Sequence, residues 1–100
     1  MAQLNGSEIL AKALKREGVD ELFFLMGGPM LAAEAATINE GIRCIDVRHE
    51  QAAAMMAQAY SRLQQRPGVC MAASGPATIN LSTGLANALI DCCPVVALGG

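Results

Sequence analysis

Arg48-His49-Glu50-Gln51 places three ionisable side chains at the head of an alanine- and methionine-rich stretch, "AAAMMAQAY". A carboxylate in the first turn of a helix complements the macrodipole by about 0.3–1 kcal/mol. The same carboxylate can hold or relay a proton in general acid–base catalysis. His49 has no serine or cysteine motif beside it, so no hydrolytic triad is indicated, and Arg48 can pair with Asp46, Glu50 or another carboxylate. Two glycine pairs offer backbone N–H groups ahead of helical segments, a setting that favours anions: Gly27-Gly28, flanked by Leu25, Met26 and Met30, and Gly75-Pro76. Neither fits the dinucleotide or Walker pattern. Cysteines 44, 70, 92 and 93 lack CxxC spacing and accompany a single histidine, so neither a zinc site nor a dithiol redox motif is indicated. All four, the adjacent Cys92-Cys93 included, read as small packing residues.

The elements that must position these residues alternate along the chain. Asn5 followed by Glu8 has the spacing of a capping box, Ile9, Leu10, Ala13 and Leu14 recur at helical spacing, and Gly18 stops the helix. Lys12, Lys15, Arg16 and Glu17 form its solvated face. "ELFFLM" reads as a strand buried on both faces. "MLAAEAATINEG" is a predicted helix and "IRCIDV" a strand. Residues 49–65 form a third helix, "VCMAAS" a strand, "PATINLSTGLANALID" one continuous helix and "PVVALGG" a fourth strand. Helical crossovers of these lengths imply an α/β fold, a mainly parallel sheet with helices on both faces. Ligands bind such sheets at the carboxyl ends of the strands. There lie "MGGPM", "RHEQ" and "SGPATIN", all on one edge.

The composition limits what surrounds that edge. Of 100 residues, 53% are hydrophobic and 16% charged, much apolar surface for one small domain to hide. The expectation is an incomplete domain, residues 1–100, with an open apolar edge beside "PVVALGG". No apolar run reaches membrane-span length, because Gly27, Gly28, Glu34, Arg43 and Asp46 interrupt the candidates. The start has neither a signal peptide's apolar core nor a transit peptide's composition, which makes the cytoplasm the expected location. A net charge of −2 and only three aromatic residues offer neither a basic stripe nor a stacking platform, so nucleic acid is not an expected partner.

"GSEILAKALKREGVDELFFLMGGP" followed by "GIRCIDVRHEQAAAMMAQAYSRLQQRPGVCMAASGPATINLSTGLANALIDCCPVVALGG" resembles the amino-terminal pyrimidine-binding domain of thiamin diphosphate-dependent enzymes. The similarity is greatest to the branch of acetolactate synthase, oxalyl-CoA decarboxylase and 2-hydroxyacyl-CoA lyase. The resemblance implies that Glu50 contacts N1′ of the aminopyrimidine. A carboxyl sharing a proton there drives the ring to the tautomer whose 4′-imino group removes the thiazolium C2 proton. It further implies that Pro76 and Asn80, with Gly75, bind and orient the pyrimidine, although this chain reads "SGPATIN" where relatives have "SGPGATN", with Ala77 in place of a second glycine.

In the substrate pocket, Leu25 and Met26 stand with Gly27 and Gly28 where acetolactate synthases carry "YPGG". That departure favours a 2-hydroxyacyl-CoA lyase or oxalyl-CoA decarboxylase-like reaction over acetolactate synthesis. The resemblance places the diphosphate and Mg2+ site outside this segment, on a separate domain normally belonging to another subunit. A homodimer or homotetramer acting on a small carbonyl or acyl-CoA substrate is therefore expected, with this segment inactive alone. Two other classes stay open: a nucleotide- or anion-binding module using the glycine pairs, and a noncatalytic segment that only pairs with another subunit.

Overall fold

The structure, a computed structural model, describes residues 3–100; Met1 and Ala2, the head of the start read as lacking a leader, lie outside the described residues. Four strands, β1 (Glu21–Phe24), β2 (Arg43–Asp46), β3 (Gly68–Ala72) and β4 (Val95–Gly99), form one sheet in the order β2-β1-β3-β4. Every pairing is parallel. The chain steps from β1 outward to β2, then crosses back over β1 to β3. The carboxyl ends of β1 and β3 therefore flank the point where the winding reverses, the place where open parallel sheets leave a crevice.

Alternate strand residues feed two cores. On one face Leu22, Phe24, Val69 and Met71 pack with Met30, Ala33 and Ile42, joined by Leu10 and Leu14 from α1 (Gly6–Arg16), while α2 (Leu31–Asn39) supplies Ala33. On the other, Phe23, Cys70 and Ala72 meet Ala53, Ala54 and Ala57 of α3 (Glu50–Gln64) together with Leu81. The capping box forms: the Glu8 N–H donates to Asn5 Oδ1 at 2.8 Å and the Asn5 amide returns to Glu8 Oε1 at 3.4 Å. The alanines of α3 are small for a reason. A Cβ on Gly68 would overlap the Ala57 carbonyl oxygen, and one on Gly84 would lie 2.5 Å from Ala54 Cβ, so helix and neighbours touch backbone to backbone.

Three expectations need correction. The segment predicted as one helix over 76–91 is two, α4 (Pro76–Asn80) and α5 (Ser82–Ile90). At Leu81 the N–H bonds Thr78 O at 3.1 Å, an i−3 spacing that tightens the turn and delivers Leu81, 1% exposed, into the core. The second helix is preceded by a 3-10 turn, Gly28–Met30, where Pro29 supplies no N–H and suits a first turn. The cysteines do not all pack: Cys70 is buried, Cys44 and Cys93 are half-buried and Cys92 is exposed. Cys92 follows α5 with φ +58°, a turn conformation that turns it out of the core. No helix among the described residues is long and apolar enough to cross a membrane.

Candidate active site

Glu50 owes its place to the end of β2. The Val47 N–H bonds Phe24 O at 3.0 Å, prolonging the strand's pairing by one residue, and the buried Val47 side chain anchors the turn. Arg48 pairs with Asp46 at 3.0 Å, so among its candidate partners the guanidinium takes Asp46 and not Glu50. His49 is extended and caps α3, its Nδ1 accepting the Gln51 N–H at 3.0 Å. Glu50 then begins the helix, at the carboxyl edge of the sheet.

The third loop comes to meet it. Gly75 has φ +70° and ψ −125°, a conformation open in practice only to glycine, and Pro76 starts α4. Thr78 Oγ1 donates to Ala73 O at 2.6 Å and ties the helix back onto the loop. Asn80, the last residue of α4, donates from Nδ2 to Glu50 Oε1 at 3.0 Å across 30 residues of sequence. Ala77 turns inward and packs against the core on the α3 side. The alanine that departs from the family pattern is thus used as a packing residue.

The first loop closes on the third. Leu25 is half-buried and Met26 is 64% exposed. A Cβ on Gly27 would overlap Ala73 Cβ, so these two loops meet where only glycine fits. Gly28 is exposed, and space for a side chain is open there. Leu25, Met26, Gly27 and Gly28 thus line the β1 side of the edge, Gly75 and Pro76 the β3 side, and Glu50 with Asn80 joins the second and third loops.

The Asn80 amide, the helix's own first-turn backbone N–H and the His49 side chain hold the Glu50 carboxyl below its usual range, and burial opposes them only in part. The contest between desolvation and the helix start is therefore won by the hydrogen bonds. Asn80 takes one oxygen, so the carboxylate keeps a second for a ligand N–H. Among the described residues no group of three or more His, Cys, Asp or Glu could hold a metal ion.

Sequence reading passed over two residues here. Thr78 gave a faint signal, a hydroxyl two places past a helix-starting proline, where it can reach back to the loop. Glu34 reads from the sequence as a charge interrupting an apolar run, yet it is buried on α2.

Residues 4–100 match the family described as thiamine pyrophosphate enzyme, N-terminal TPP binding domain. The chain is 43% identical over 97 residues to the acetolactate synthase isozyme 2 large subunit of Escherichia coli, covering 97% of this chain and 18% of that protein. It is 45% identical over 96 residues to the chloroplastic acetolactate synthase 2 of Nicotiana tabacum, 95% of this chain and 14% of the relative. Human 2-hydroxyacyl-CoA lyase 1 is 40% identical over 98 residues, 98% of this chain and 17% of the relative. The chain thus spans less than a fifth of the length of these relatives. A match over nearly every residue, on a parallel sheet whose loops converge at one edge, leaves one conclusion: the chain belongs to the thiamine pyrophosphate enzymes, as their N-terminal TPP binding domain.

Proposed function

We propose that this domain receives the aminopyrimidine half of thiamin diphosphate in an enzyme that makes or breaks a carbon–carbon bond next to a carbonyl. The hydrogen bond from Asn80 to Glu50 carries the reading, because it fixes a carboxylate at the sheet edge between the three loops. Glu50 binds the ring and holds or returns a proton at N1′, Asn80 aims it, and Gly75 with Pro76 shapes the wall against which the ring lies. When bound, the cofactor would supply a carbon nucleophile for a substrate carbonyl and a cationic ring able to take up the electron pair of the bond beside it. The residues that would hold its diphosphate and Mg2+ belong to another domain, and where a second subunit supplies that domain the working unit is at least a dimer.

Replacing Glu50 by Gln keeps the shape but cannot relay the proton. In the full-length protein this change is expected to slow hydrogen–deuterium exchange at the cofactor's C2 by roughly 10²–10⁴-fold. Exchange at the normal rate overturns the assignment.

For the substrate, a 2-hydroxyacyl-CoA lyase or oxalyl-CoA decarboxylase-like reaction is supported by Leu25 and the exposed Met26 in the first loop. Acetolactate synthesis is the second reading, supported by identities of 43% and 45% to acetolactate synthases, which stand beside 40% for the lyase. Incubating the full-length protein with pyruvate alone, and separately with a 2-hydroxyacyl-CoA, separates the two. Acetolactate formation sinks the first reading, and aldehyde with formyl-CoA sinks the second.

A further inference from the structure

α4 is only five residues long, and its N-cap, Gly75, has no side chain to cap it. A helix this short does not hold its own place in water, so its bonds to neighbours decide where it ends. Two neighbours grip it at one residue. Thr78 Oγ1 donates to Ala73 O at 2.6 Å, which ties α4 to the end of β3. From β4, whose register puts Gly99 opposite Ala72, the bare Cα of Gly99 faces the same side chain. A Cβ on Gly99 would stand 2.9 Å from Thr78 Oγ1 and 3.0 Å from its Cγ2. Rotation of Thr78 offers no escape from that contact. The hydroxyl bond fixes the side-chain torsion, and the methyl is fixed with it. Two residues further on, α4 ends at Asn80, whose amide holds Glu50 Oε1 at 3.0 Å.

We propose that Thr78 is a positioning residue: held between the Ala73 carbonyl and the unsubstituted Gly99, it sets where α4 ends and thereby delivers the Asn80 amide to Glu50. The carboxyl ends of β3 and β4 thus fix the partner of a carboxylate that the end of β2 presents. Little slack is tolerable. A shift of about 0.6 Å takes a bond of this length out of hydrogen-bond range. What the carboxylate receives rests on the thiamin reading; the grip on α4 does not.

The experiment uses the full-length protein. Thiamin diphosphate affinity, titrated with Mg2+ present, is expected to fall about three- to tenfold in Thr78→Val, which keeps the shape and loses the hydroxyl. Thr78→Ser keeps the bond and should stay within about twofold of wild type. Equal losses in the two overturn the proposal. Gly99→Ala should weaken binding by a factor similar to Thr78→Val. In a Thr78→Ala background it should do nothing further, because the nearest remaining atom is then the Cβ of residue 78 at 3.6 Å, an ordinary contact. Equal harm in both backgrounds shows that Gly99 does not bear on Thr78, and the grip fails. Since Thr78 acts through Asn80, Thr78→Val should cost nothing more once Asn80→Ala is present; losses that multiply refute the route. Urea titrations repeat this cycle without the cofactor. The deficit of Asn80→Ala near pH 7 should shrink in the Thr78→Val background, and an undiminished deficit overturns the proposal. If neither wild type nor any variant binds thiamin diphosphate while the urea cycle behaves as expected, the cofactor reading fails and the positioning role of Thr78 stands.

Discussion

An Asn80→Ala change removes the amide that holds Glu50 Oε1 and leaves the carboxylate to the helix start alone. Because the folded protein holds this carboxyl below the usual range of 4.5, its contribution to stability is present above that value and is lost as pH falls through the lowered one. Urea titrations of the full-length protein at a series of pH values should find Asn80→Ala less stable by about 0.5–1 kcal/mol near pH 7, because the bond is solvent-exposed. The deficit should vanish at acid pH, and a deficit that does not depend on pH would mean that Asn80 acts through packing. Glu34 has the opposite sign. Burial first, and the Asp46 charge in addition, push its carboxyl above 4.5, so its contribution is full below that value and is lost as pH rises. Glu34→Gln should therefore gain stability over wild type on the alkaline side, and an equal gain at every pH would refute the titration. Of these two acids the sequence disclosed one. Glu50 stood out through its neighbours in a known motif, whereas Glu34, in "AAEAAT", looks like a solvated helix residue until β2 is laid beside it.

Among the elements, the sheet was the most legible part, since apolar runs this short, bounded by glycine and proline, suit strands better than helices, although only β1 and β3 are buried along most of their length. The break at Leu81 was not, because local propensity favours continuing the helix and only burial of that leucine tightens the turn. The exposure of Cys92 was equally hidden, depending on a positive φ that no cysteine advertises. Close approaches were visible only as glycines without a stated purpose. Gly68 has the plainest one, a β3 start pressed on the backbone of α3. Gly68→Ala is expected to destabilise by about 3 kcal/mol, because the obstacle is a carbonyl and not a flexible side chain. Gly6→Ala, with open space around it in α1, should be neutral or stabilising by about 0.4–1 kcal/mol. Thermal unfolding of the two variants side by side checks the contrast, and equal losses would refute the packing argument.

The whole molecule leaves much apolar surface in contact with water, with Leu63, Ile79, Leu89 and Ile90 each more than two-thirds exposed and β4 at the edge of the sheet. An uncovered parallel edge is a template for pairing with another chain. The 100-residue segment expressed alone is expected to be poorly soluble or oligomeric and to show no Mg2+-dependent binding of thiamin diphosphate. Size-exclusion chromatography and calorimetry check this, and a soluble monomer that binds the cofactor would contradict it. The sheet edge also has a signature at single amides. Gly68 N–H bonds Pro94 O and Gly100 N–H bonds Ala72 O, each at 3.1 Å, which fixes the parity of the last ladder. Along β4 the amides of Val96 and Leu98 then turn toward β3, while those of Val95, Ala97 and Gly99 turn away. With nothing docked outside, these three should trade hydrogen for deuterium far faster than the two between them, a period-two stripe along a single strand. In a protein where another strand pairs there the stripe disappears, so the exchange of three amides reports whether this edge has found its neighbour.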